Sequence, residues 1–120
     1  MGLSMDARIA DLLARQESGV VPFAETLALI GELYTYTPTT FVNGLGEDAL
    51  HSPAGANEGS CKVFAFGKLN GLSEAQTLAC FGEHYQAVLG DPSGVAHPNI
   101  RLFMRDGWAG IRFDGTPLVS

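Results

Sequence analysis

The residues with the richest chemistry lie between Phe41 and Phe81, in FVNGLGEDALHSPAGANEGSCKVFAFGKLNGLSEAQTLACF. Cys61 follows Asn57, Glu58, Gly59 and Ser60, where a glycine-rich loop gives way to a dense apolar run. If that run is a helix, Cys61 falls in its first turn. Unpaired amides, the helix dipole and the neighbouring Lys62 lower a thiol's pKa there. Cys61 is then the best nucleophile candidate, with Glu58 and His84 as further catalytic candidates. The opposing reading makes Cys61 a small apolar filler, as its hydrophobic flank suggests. The same helix start, through the amides after Gly59, suits an anion such as a carboxylate or phosphate. Asn57, Glu58, Ser60 and Arg101 are the ligand-binding candidates, although the charge of Glu58 opposes an anion. Asn57 and Glu58 read equally well as a helix cap and a first-turn acid.

Cys80 and His84 have the four-residue helical spacing that lets two side chains share a metal. Two ligands do not make a zinc site, and His51, His97 and Cys61 are far away in sequence. The pair is expected to be a packing cysteine and a surface histidine, with no metal and no cofactor. Arg101 and Arg105, also four apart, could receive an acidic ligand or simply form a solvated helix face. Local spacing places no Ser-His-Asp set, phosphate loop or carboxylate pair.

The elements that must position these groups can be read in outline. Ser4 can cap a first helix with Met5, Ile9, Leu12 and Leu13 as its apolar residues, ending near Gly19. Pro22 opens a second helix carrying Phe23, Leu27, Ile30 and Tyr34. Thr39 to Val42 favours an extended segment closed by a turn at Asn43-Gly44. Leu45 to Gly59 reads as a long loop. A central helix then starts at Asn57 or Ser60 and runs to about Leu69, a buried strand being the alternative. Ser73 and Gln76 have capping-box spacing at the head of one helix running to Gly90, with Leu78, Phe81, Tyr85, Val88 and Leu89 as its stripe. Pro98 begins a final helix with Ile100, Phe103 and Met104 facing inward. Trp108 and Phe113 are expected in the core. Ile111 to Phe113 alternates like a short strand, suited to pair with Thr39–Val42.

The fold class is therefore α+β: one helix-rich domain over residues 1–120, with about five helices and a small antiparallel sheet. The length of 120 residues suits one domain, and 46% hydrophobic residues supply a core. A formal net charge of −6 argues against nucleic acid or an anionic membrane as the main partner. No apolar run approaches the ~18 residues of a membrane span. Two cysteines are too few for a disulfide scaffold and fit reduced thiols in a cytosolic protein. The start resembles a myristoylation signal but has Asp6 where Ser or Thr is required. Either Met1 or Met5 can serve as the natural start.

Four segments together carry a family likeness. Phe41-Val42-Asn43-Gly44, Ala56-Asn57-Glu58-Gly59-Ser60-Cys61-Lys62, Leu78-Ala79-Cys80-Phe81-Gly82 and His97-Pro98-Asn99-Ile100-Arg101, followed by Gly107-Trp108, occur in that order. The set resembles the HopJ family of type III effector proteins and spans most of the chain. The resemblance implies a bacterial protein, cytoplasmic or delivered into a host cell by type III secretion, whose partner is a host or bacterial protein. It brings no catalytic residues with it. Two function classes follow: a non-catalytic interaction module, or a small enzyme or ligand-binding protein with its site at Asn57, Glu58, Cys61 and His84 or His97. A metal protein is a third, weaker possibility. Convergence of Asn57, Glu58, Cys61 and a histidine in one open pocket is what the enzyme reading requires.

Overall fold

The computed structural model describes residues 5–120, so Ser4, the expected first cap, lies outside the described residues. Asp6 caps helix α1 (Ala7–Ser18), its Oδ1 accepting from the Arg8 amide at 2.8 Å. Gly19 ends α1, and Pro22 leads into α2 (Phe23–Leu33). Strands β1 (Thr35–Tyr36), β2 (Phe41–Asn43) and β3 (Leu50–Ser52) follow, then α3 (Glu58–Leu69). Next come α4 (Glu74–Ala79), α5 (Glu83–Leu89) and α6 (Pro98–Asp106). A 3-10 turn (Gly107–Gly110), β4 (Ile111–Phe113) and β5 (Leu118–Val119) complete the described chain. The protein is α+β, as its sequence indicates.

Helix α3 is the centre of the packing. Val63 to Gly67 are all buried, so the helix is enclosed on nearly every side rather than along one stripe. Phe64 is wholly inaccessible, and its ring lies 6.1 Å from Phe41, 5.5 Å from Phe81 and 5.0 Å from Phe103. Gly67 lets a neighbour close in: a Cβ there would lie 2.7 Å from Thr77 Oγ1 and 3.0 Å from the Trp108 ring. Trp108 is anchored by its Nε1, which donates to the Leu72 carbonyl at 3.1 Å.

The expected pairing of the two extended segments is present and antiparallel, with Phe41 opposite Phe113 and Asn43 opposite Ile111. A third strand joins the expected pair, giving the order β3-β2-β4. β3 arises inside the stretch read as loop, because Leu50-His51-Ser52 is too short and mixed to show a strand period. β1 and β5 form a separate two-stranded ribbon. Arg105, expected on a solvated face, ties the β2–β3 loop to α6: it pairs with Asp48 at 2.6 Å and Asp106 at 2.8 Å. Its guanidinium, followed by the Leu45 amide, holds the Asp106 carboxyl down at about 2.

Two further expectations are corrected. Met104 and Leu89 are exposed at the edges of α6 and α5 instead of facing the core, and Met5, ahead of α1, is exposed as well. The single helix expected from Ser73 to Gly90 is broken into α4 and α5. Its capping box is real, with reciprocal bonds of 3.0 and 2.9 Å between Ser73 and Gln76. The break falls at Gly82, with φ 56° and ψ −127°. A Cβ there would collide with the Val21 carbonyl oxygen and lie 2.7 Å from the Phe23 amide nitrogen. The α1–α2 turn occupies the space a continuous helix would need.

Candidate functional site

Breaking that helix turns His84 toward the start of α6. The N-terminal ends of α3 and α6 meet His84 around a cleft of about 270 Å³. Phe23, from the beginning of α2, closes one side with its ring in edge contact with His84 at 5.0 Å. Gly59 makes this possible, because a Cβ there would stand 2.9 Å from Phe23 Cζ. The His84 and His97 rings meet at a tilt of 41°, their centroids 4.9 Å apart.

Asn57 precedes α3 with left-handed backbone at φ 52° and ψ 44°, and its side chain does not cap the helix. Its Nδ2 instead donates to Ser52 Oγ at 2.9 Å, fixing the helix start to the end of β3. His97 has the same backbone conformation before α6, again without a side-chain cap. The amides of Glu58, Gly59 and Ser60 therefore lack the usual capping partner, and that of Asn99 stands in the same position on α6. Arg101 positions the segment that carries His97. Its Nε donates to the Ala96 carbonyl at 2.6 Å, and its Nη1 to the carbonyls of Asp91 and Pro92 at 2.9 and 3.3 Å.

The candidate residues divide into two groups. Asn57, Ser60 and His84 line the cleft together with His97 and Asn99. Glu58, Cys61 and Arg101 do not. Glu58 and Cys61 stand beside the Tyr36 hydroxyl, which forms no well-shaped hydrogen bond with either. Burial, then Glu58, pushes the pKa of that hydroxyl well above the ordinary tyrosine range.

Cys61 is the fourth residue of α3, and its amide already donates to the Asn57 carbonyl at 3.0 Å. Its sulfur is inaccessible, 3.7 Å from the Thr39 carbonyl oxygen. Burial pushes its thiol up to about 11; Glu58 adds to the rise, while the Tyr36 hydroxyl and Lys62 oppose it. Lys62 itself sits over the Tyr36 ring, 4.6 Å from its centroid. Cys80 is also buried and pushed up to about 11, with Gln16 Nε2 3.4 Å from its sulfur. The helix break puts Cys80 at the end of α4 and His84 on α5, so helical spacing no longer relates them. Among the described residues, no three His, Cys, Asp or Glu side chains gather as a metal site.

At pH 8, a thiol titrating near 11 leaves about one molecule in a thousand as thiolate. Iodoacetamide should accordingly modify neither Cys61 nor Cys80 in the folded protein faster than the chain unfolds, from about pH 5 to about pH 9. Mass spectrometry of the alkylated peptides checks this. Rapid labelling of Cys61 with a midpoint below the ~8.5 of an ordinary thiol would contradict it.

Sequence reasoning missed Asn43 and Asn99. Asn43, read as a turn residue, is fully buried at the end of β2. Its Nδ2 donates to Asn99 O at 2.8 Å and to Asn99 Oδ1 at 3.0 Å. A polar side chain closing a strand beside an aromatic core was the available signal. A larger depression, about 520 Å³, lies between α1 and the end of α2. It abuts Met5, where the described chain begins, and the Arg8 and Asn70 side chains on its wall already have hydrogen-bond partners.

The family model for HopJ type III effector protein matches residues 8–118. The chain belongs to the HopJ family. This HopJ chain is also similar to a solved structure titled "Crystal structure of unknown function protein VPA0580", with 42% identity and a TM-score of 0.84. That match covers 99% of this chain and 97% of the other. No curated protein sequence matches this HopJ chain. Family membership makes it a type III effector-related protein. No described helix is long and apolar enough to cross a membrane.

Proposed function

We propose that this HopJ-family protein is a non-catalytic interaction module, delivered into a host cell or acting in the bacterial cytoplasm, that engages a host or bacterial protein through the α3–α6 cleft. One observation carries the reading. Asn57, Ser60, His84, His97 and Asn99, drawn from three separate parts of the chain, converge on one open cleft. The nucleophile candidate lies outside it, buried and kept as a thiol. The alternative, a small enzyme or ligand-binding protein with its site around Asn57, Glu58 and Cys61, required all three to face one pocket. Glu58 and Cys61 stand with Tyr36 instead, which favours binding over covalent chemistry.

The test compares three folded proteins as bait in host-cell and bacterial extracts: wild type, His97→Ala and Cys61→Ala. A specific partner should be held by wild type and by Cys61→Ala and lost from His97→Ala. The reading fails if capture does not depend on the cleft. It also fails if wild type, but not Cys61→Ala, leaves a covalent change on an extract protein detectable by mass spectrometry.

A further inference from the structure

We propose that the α3–α6 cleft binds a tetrahedral oxyanion, the phosphate of a phosphomonoester being the fitting chemistry. This rests on the cleft being the recognition site and adds the class of group recognised there.

The first support is the pair of helix ends. α3 has 12 residues and α6 has nine, and both present their N-terminal turns to the same space without a side-chain cap. First-turn amides and the positive end of each helix dipole favour an anion. α6 begins with proline, so Asn99 offers its first free amide.

The second support is the Asn99 side chain, on a residue only 5% exposed. Its orientation is fixed by chemistry. A backbone carbonyl can only accept, so the Asn43 atom bonded to Asn99 O must be the Nδ2 donor. The Asn99 atom facing that same Nδ2 must then be its oxygen. The Asn99 NH2 group donates no hydrogen bond among the described residues and is not fully enclosed, on a residue that lines the cleft. Water can satisfy this amide in the free protein, and a ligand oxygen that accepts from it takes that water's place.

Ser60 and the imidazoles of His84 and His97 add donors from other directions. Donors arriving from several sides suit a tetrahedral group better than a planar carboxylate. The volume of about 270 Å³ is small for a whole metabolite and ample for one phosphate. No lysine or arginine lines the cleft, and the chain carries a net charge of −6. Affinity for the bare ion is therefore modest, with a Kd on the order of 1 mM. A phosphate carried by a larger ligand gains from the contacts around it.

The experiment is an amide-resolved NMR titration of the full chain at constant ionic strength. Inorganic phosphate should give saturable shifts at Gly59, Ser60 and Asn99. Acetate should bind at least about tenfold more weakly, and chloride should produce no saturable shift. Asn99→Asp keeps the acceptor for Asn43 and replaces the donor with a carboxylate; it should weaken phosphate at least about tenfold. His97→Gln, at a half-buried position, serves the same purpose if the first variant does not fold, with an expected loss of at least about threefold. A phosphoserine peptide and glucose 6-phosphate separate the two sources of the group. Tighter binding of either than of inorganic phosphate supports the site and identifies its carrier. Acetate binding equal to phosphate, shifts unchanged in both variants, or no response at the cleft would overturn the proposal. If phosphate gives no response while partner capture still depends on His97, only the ligand class fails and the interaction reading stands.

Discussion

Gly82→Ala should destabilise the protein by about 3 kcal/mol or more, enough to lower its melting temperature by roughly 10 °C or prevent folding in the cell. Two independent costs add. The backbone at φ 56° and ψ −127° lies in a region that L side chains rarely adopt, worth about 1–3 kcal/mol. The new methyl would also collide with the Val21 carbonyl oxygen and meet the Phe23 nitrogen at 2.7 Å. Those are backbone atoms of the α1–α2 turn, which cannot swing aside like the end of a side chain. Glu83 holds the same turn through a 2.7 Å bond from the Phe23 amide. Urea denaturation measures the loss, with Gly90→Ala as the control. Gly90 has α-helical backbone, and a Cβ there would make only ordinary contacts, at 3.6 Å or longer. Equal stability of the two variants would refute the close approach described here.

Asn43→Ala should cost about 2–4 kcal/mol. It deletes both hydrogen bonds to Asn99, leaving a buried carbonyl and amide oxygen without that donor and a void beside α6. One term acts in the opposite direction: Asn43 Oδ1 is already buried without a partner, so its removal relieves some desolvation. Asn43→Asp should be worse, because a carboxylate would face two acceptors without a proton to share. Both variants also release the Asn99 side chain, so phosphate binding should fall together with stability. A change within about 0.5 kcal/mol in urea denaturation, as for an ordinary surface position, would show that the Asn43–Asn99 link does not hold α6 against β2.

Most of what the sequence determined is local or follows from composition. Pro22, Pro98 and Gly107 mark helix ends through fixed φ, a missing amide or left-handed backbone, whatever the rest of the chain does. Ser73 and Gln76 announce their capping box because both partners lie within one turn. The enclosed core helix was legible because Val63 to Phe66 leave no polar face to show to water. The β2–β4 pairing was legible because two extended, apolar-bearing segments each needed a partner. The HopJ likeness likewise resides in the order of short motifs.

Tertiary structure decided the rest. The pattern from Leu78 to Leu89 has helical period throughout, and only the α1–α2 turn, about 60 residues earlier, requires the chain to break at Gly82. That break separates Cys80 from His84 and sends His84 to meet His97, two residues that no local spacing connects. Helical position alone made Cys61 a nucleophile candidate; the aromatic packing around α3 buried it and reversed the expected direction of its pKa, because desolvation outweighs a dipole the sulfur no longer faces in water. Asn99 shows the same limit most clearly. Its residue type was visible in the chain, but the orientation of its amide is set by Asn43, 56 residues away, through a hydrogen bond that exists only once β2 and α6 are packed together.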